Sequence, residues 1–326
     1  MRLVVLCLLV MFFLLMTYQT RTHPQIRHNN VLDRIQHPFD TRLRYRIAEV
    51  DPRFGLTEDE VQLISQQATD IWKQGTGKDY FVYDPNAKLA IHLIYDQRQD
   101  ESNQRRQQLG NIEQEQQIWS NKNQNFKQFK QEIDRANALL EAKKIQLDDQ
   151  LSQYNQKIAV INHNGGVKPA QRDQFIQQRH QLQQQIFALE QEINVYNQKI
   201  QQLNSHVDEL NQINRQLNQS VEQFNQRFRP HLFDKGLFNG KQINIYEFVS
   251  ADDLRLTLAH EFGHALGLKH NQDPQALMYP LMKDQQMQNF SLSTADLALF
   301  QARKAKTEIQ CKNPLLFISI CIVIER

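Results

Sequence analysis

Two kinds of hydrophobic periodicity divide this chain of 326 residues. Between residues 101 and 228 the apolar positions follow coiled-coil spacing. Ile112, Trp119, Phe126, Ile133, Leu140, Leu147, Tyr154 and Ile161 stand seven apart. From Leu182 to Phe228 the apolar positions advance in steps of four and three, and Asn214 is the one polar break. Such spacing holds one apolar stripe along a helix. Residues 162–169 between the two stretches are rich in Asn and Gly and end on Pro169, a turn signal. The region therefore reads as two long helices folded into an antiparallel coiled-coil hairpin, with Asn214 as a register pin. It also holds 30 glutamines, a composition that suits a low-complexity segment, but sustained heptads decide against disorder.

On either side the periods are shorter. Residues 43–47 alternate apolar and polar, as a strand does. Thr57 and Glu60 have capping-box spacing and open a helix through Val61, Ile64, Ala68, Ile71 and Trp72. Residues 80–83 and 89–95 are β-rich runs split by Asp84-Pro85-Asn86. Residues 242–248 form a further strand. Ser250 and Asp253 then open a helix running to about Leu266, with Leu254, Leu258 and Phe262 on its buried face. The chain is read as α+β, divided into an N-terminal apolar segment (1–22), a first mixed α/β piece (38–100), the inserted hairpin (101–228), a second mixed piece (229–301) and a tail (302–326).

The last of these helices carries the chemistry. His260-Glu261-Phe262-Gly263-His264-Ala265-Leu266-Gly267-Leu268-Lys269-His270 reads H-E-x-x-H-x-x-G-x-x-H. His260 and His264 are four apart and share a helix face, so both imidazoles reach one metal. Gly267 allows the sharp stop that brings His270 back as third ligand. Three protein ligands leave one tetrahedral zinc position open, which marks a catalytic site. Glu261 suits a general base toward the attacking water. Five fixed residues, three of them histidine, rarely coincide by chance.

Met278 follows in Ala276-Leu277-Met278-Tyr279-Pro280. Together with the zinc motif, this segment resembles the metzincin superfamily, and its matrixin branch (matrix-metalloproteinase-like) in particular. The resemblance implies a metzincin-like catalytic domain, with a twisted mixed sheet beside the zinc helix, here interrupted by the hairpin. It implies zinc-dependent cleavage of peptide bonds with one catalytic ion. It assigns Met278 to an apolar floor beneath the metal, in a turn closed by Pro280, and Tyr279-Pro280 to the wall of the pocket for the residue after the scissile bond. Residues 292–297 are similar to the start of the family's last catalytic-domain helix, although Ala295 replaces a usual acidic residue and Leu299 a usual glycine. In the family, an extended polypeptide substrate pairs with an edge strand of the sheet. The Ile243 strand, with Ile243 and Ile245, is expected to be that edge. Donors near Ala259 or Tyr246 are expected to help hold the developing oxyanion. His92, a lone strand histidine, is read as packing or supporting a ligand rather than as binding the metal itself. No His and Asp cluster marks the family's accessory metal loop, so structural zinc and calcium are expected to be absent.

Composition adds less. A net charge of +2 and a pI near 8.3 give no reason to expect nucleic acid as a partner. The apolar run from Leu3 to Met16 after Arg2 fits a secretory signal peptide or an uncleaved signal anchor, which places the chain outside the cytosol. Cys7, Cys311 and Cys321 do not make a disulfide framework. Matrixins often stay latent through a propeptide cysteine on the zinc. No cysteine lies between Cys7 and Cys311, so location or an inhibitor is expected to limit activity instead. Two other readings stay open: an envelope scaffold or adaptor that uses the hairpin for a partner or for self-association and keeps a vestigial zinc site, and a zinc amidase acting on cell-wall peptides.

Overall fold

The computed structural model describes residues 2–229, 233–281 and 285–312. The chain separates into two compact units, one built from Met1–Gln104 and Pro230–Arg326, the other from Arg105–Arg229.

In chain order the helices are α1 (Arg2–Thr22), α2 (Val31–Gln36), α3 (Glu58–Thr76), α4 (Gln97–His163), α5 (Pro169–Arg227), α6 (Ala251–Ala265) and α7 (Thr294–Lys312). The strands are β1 (Leu43–Val50), β2 (Phe81–Tyr83), β3 (Leu89–Leu93), β4 (Gly236–Phe238) and β5 (Gln242–Ile245). They form one sheet in the order β2-β1-β3-β5-β4. β1, β2, β3 and β5 are parallel, while β4 runs antiparallel to β5. Ile91 stands opposite Ile243, and Phe238 lies opposite Ile243 on the other side.

Parallel strands are covered on their faces, so their side chains read as continuous apolar runs. Leu89, Ile91, Leu93, Ile243 and Ile245 are all buried. They join Trp72 of α3 and Leu254, Leu258 and Phe262 of α6 in one core. Burial of each such side chain contributes about 1.5–3 kcal/mol. α3 opens with the expected reciprocal box between Thr57 and Glu60 and stops at Gly77, whose φ of 70° is left-handed. The Trp72 indole N–H donates to the Ala259 carbonyl at 2.8 Å and ties α3 to the zinc-motif helix.

Several expectations change here. The Ile243 strand is not the edge. β4 flanks β5, which is hydrogen-bonded on both sides, and Ile243 and Ile245 point into the core. Three residues of β4 were too short a run to register as a strand in the sequence. α7 extends to Lys312, so the first part of the tail (302–326) is helical, and the remainder lies outside the described residues. Cys321 lies there too. α1 is helical, but no helix among the described residues is long and apolar enough to cross a membrane, which leaves the anchor expectation without support.

The second unit holds two long helices. Gly165 and Gly166, with φ of 96° and 102°, make the turn, and the Gly166 N–H donates to Ile161 O at 3.0 Å. Lys143 Nζ meets Glu192 Oε1 at 2.6 Å, and Lys122 meets Glu209. Phe129 packs edge-on against His206, and Tyr154 against Phe175. The partners run in opposite chain directions. All eight residues of the seven-spaced stripe on α4 are buried or half-buried. On α5 most of the expected stripe, from Leu182 to Phe228, is likewise buried or half-buried, with four exceptions. Asn214 is exposed, Ile213 beside it is half-buried, and Ile193, Val207 and Val221 are 37–39% exposed. Asn214 therefore pins no register. Between its apolar positions α4 presents Lys122 and Lys143, and these draw Glu209 and Glu192 of α5 toward the contact.

Candidate active site

α6 begins at Ser250, whose hydroxyl accepts the Asp253 N–H at 3.2 Å. The expected box is only half made. The Asp253 carboxylate accepts the Val249 N–H and the Lys235 ammonium, both through Oδ2, at 2.8 and 2.7 Å. Three turns later His260 and His264 share a face. The helix stops as its sequence requires: the Gly267 N–H donates to His264 O and the Leu268 N–H to Gly263 O, with Gly267 at a φ of 85°. This paired closure reverses the chain and brings His270 back beside the other two.

The three Nε2 atoms form a nearly equilateral triangle. His260 to His264 is 3.1 Å, and His270 is 3.2 Å from each. His260 Nδ1 lies 2.6 Å from Leu277 O and His264 Nδ1 lies 2.9 Å from Leu268 O. A carbonyl can only accept, so both Nδ1 atoms carry the proton and both Nε2 atoms offer lone pairs. Converging lone pairs repel unless a cation sits among them. Four-coordinate zinc with nitrogen at 2.0–2.1 Å requires ligand atoms roughly 3.3 Å apart, so the donor set fits. Burial, then the neighbouring His264, pushes the His260 pKa down to about 3, and burial also lowers that of His264. Both therefore stay in the neutral form that metal binding needs. Among the described residues this is the one cluster of three or more such side chains.

Glu261, next to His260 in the chain, is buried. Burial pushes its pKa up to about 7, against the Phe238 N–H, which donates to Oε2 at 2.6 Å. A carboxylate in that range is matched to proton transfer near neutrality.

Met278 lies fully buried behind α6. Gly263 makes room for it: a Cβ there would overlap the Met278 sulfur and stand 2.8 Å from Trp72 Cζ2. The turn is held by Asp296 of α7, which accepts the N–H groups of Leu277 at 2.8 Å and Met278 at 3.0 Å. Asn271, next to the third histidine, donates its N–H to Met278 O at 2.9 Å. Ala295 and Leu299 thus leave the turn supported, because Asp296 carries it. Tyr279 is half-buried and Pro280 exposed.

Other expected residues lie elsewhere. His92 is 3.6 Å from Glu49, outside the cluster. Ala259 is buried in mid-helix with its carbonyl held by Trp72, and the Tyr246 ring lies 3.4 Å beneath the Arg98 guanidinium. Asp296, Gly263 and the Phe238 N–H were missed. Only Asp296 left a local signal, the Ser293-x-x-Asp296 cap spacing, because its partners and those of Gly263 lie far along the chain.

Comparison with known proteins agrees with this geometry. The matrixin family model matches residues 37–302, and the chain belongs to that family. Among its relatives are neutrophil collagenase of Homo sapiens, 50% identical over 50 residues (15% of this chain, 11% of that protein), and matrix metalloproteinase-20 of Homo sapiens, 45% identical over 58 residues (18% and 12%). Matrix metalloproteinase-16 of Rattus norvegicus is 48% identical over 46 residues (14% and 8%). The match thus spans about a tenth of the length of these curated relatives.

Proposed function

We propose that the protein is a zinc-dependent endopeptidase acting outside the cytosol. The observation that carries this reading is the convergence of three imidazole Nε2 atoms within 3.2 Å of one another beside a buried carboxylate. His260, His264 and His270 would hold the ion. Zinc bound there supplies Lewis acidity to the scissile carbonyl and acidifies the attacking water. Glu261 keeps Oε2 on the Phe238 N–H, takes the water's proton on Oε1 and passes it to the leaving amine. Met278 closes the site from below, and Tyr279 and Pro280 flank the side chain that follows the scissile bond.

The substrate is a polypeptide in extended form. β4 is the edge to which it would add, in place of the Ile243 strand, since one side of β4 has no strand partner among the described residues. The reading includes one catalytic ion and no structural zinc or calcium. The two long helices act as a coiled-coil hairpin for a partner or for self-association.

Incubation of the purified protein with a peptide library tests the reading. We expect cleavage that a chelator abolishes and zinc restores, with about one zinc per chain. Glu261→Gln should retain the zinc and lose activity by about 100-fold or more. Wild-type cleavage by the Gln variant, or an inert zinc-loaded wild type, would leave the scaffold reading standing.

A further inference from the structure

We infer that Gly236 and the main-chain N–H of Phe238 are the positioning elements that seat Glu261, so that the edge strand and the base form one unit. This rests on the endopeptidase reading above.

Leu237 lies opposite Asn244 in the antiparallel ladder, and the flanking bonds run from the Tyr246 N–H to Lys235 O and from the Asn239 N–H to Gln242 O. In such a ladder alternate residues turn their N–H groups away from the partner strand. Phe238 is one of these, and its outward N–H goes to Glu261 at 2.6 Å. One carboxylate oxygen is thereby fixed and the other left for proton transfer.

That bond requires β4 to lie unusually close to α6. A Cβ at Gly236 would stand 2.9 Å from Thr257 Cγ2, 3.1 Å from Glu261 Cγ and 3.1 Å from Ile245 Cδ1. Thr257, Glu261 and Ile245 are all buried, so none can swing aside. Any side chain at 236 must push the strand outward, and the Phe238 N–H moves with it. Gly236 has no left-handed φ to explain its presence. Close approach of backbone to helix does explain it.

Both ends of the strand are pinned in the same place. Before it, Lys235 pairs with buried Asp253 at 2.7 Å and with Glu247 at 3.2 Å. After it, His28 packs edge-on against Phe238, and its Nδ1 lies 3.1 Å from Gly240 O. These contacts hold β4 against the helix. The hydrogen bonds of His260 and His264 to the main chain run elsewhere, to Leu277 and Leu268. The strand can therefore shift the base without touching the metal.

Steady-state kinetics on the full chain with one peptide substrate test this, using wild type, Gly236→Ala and Gly236→Val. We expect both variants to retain about one zinc per chain. We expect kcat to fall about tenfold or more in Gly236→Ala and further in Gly236→Val, with KM changed by less than about threefold. A loss seen in KM alone would make β4 a substrate-binding strand only and overturn the inference. Unchanged kinetics, loss of zinc or unfolding would overturn it too. Failure of wild type to cleave any peptide would instead defeat the endopeptidase reading on which it rests.

Discussion

Asp296 and Met278 are eighteen residues apart in sequence, yet the carboxylate of the first accepts the main-chain N–H of the second at 3.0 Å. The same carboxylate takes the Leu277 N–H at 2.8 Å and the Ser293 hydroxyl at 2.9 Å. One buried anion thus fixes the turn beneath the histidines, and Leu277 in that turn orients His260 through its carbonyl. Asp296→Ala would leave several buried N–H groups unpaired. It should destabilise the protein by about 3 kcal/mol or more and weaken zinc binding, as read by denaturant unfolding and metal titration.

Gly263→Ala should also act through Met278. The added methyl meets the Met278 sulfur and Trp72 at once. Overpacking of this kind costs about 1–3 kcal/mol. A thermal melt should fall, and zinc affinity with it. A melting temperature equal to wild type would mean the helix and turn are not in contact as described.

Removal of the metal should lower stability. Three neutral donors gathered in the folded chain bind zinc far better than the same residues scattered in the unfolded one. A chelator should lower the melting temperature, and added zinc should raise it again. His264→Ala should remove most of that dependence, whereas Glu261→Gln should keep it.

Lys235 makes the stability depend on alkaline pH. Burial opposes its charge, but Asp253 and Glu247 outweigh burial and raise its pKa above 10.5. A raised cation stabilises the fold at lower pH and loses that contribution as pH climbs through the folded pKa. Lys235→Met should destabilise by about 3 kcal/mol near neutrality, since it leaves two buried carboxylates unpaired. The gap from wild type should narrow above pH 10.5 in equilibrium unfolding.

Asn214→Leu tests the hairpin. A seam position would gain stability from a leucine. Asn214 is exposed, so the change should stay within about 0.5 kcal/mol. A gain well beyond that would return Asn214 to the seam.

Local patterns in the sequence determined much of this protein. The spacing of His260, His264 and His270, the stop at Gly267, the Thr57 box and the seven-residue stripe on α4 are each set by residues a few positions apart, where neighbours in sequence are neighbours in space. The tertiary structure decided what depends on distant pairs. It put β4 rather than the Ile243 strand at the edge, because strand order is a matter of long-range hydrogen bonding and a three-residue strand has no period to read. It made Asp296 the clamp on Met278, Gly263 the space for its sulfur and the Phe238 N–H the partner of Glu261, because each needs two elements packed face to face. It also paired Lys122 with Glu209 and Lys143 with Glu192, because a lysine on α4 meets its glutamate only when the helices meet. The three histidines were therefore legible along the chain, while the contacts that hold Glu261 and Met278 in place became visible only in the packed core.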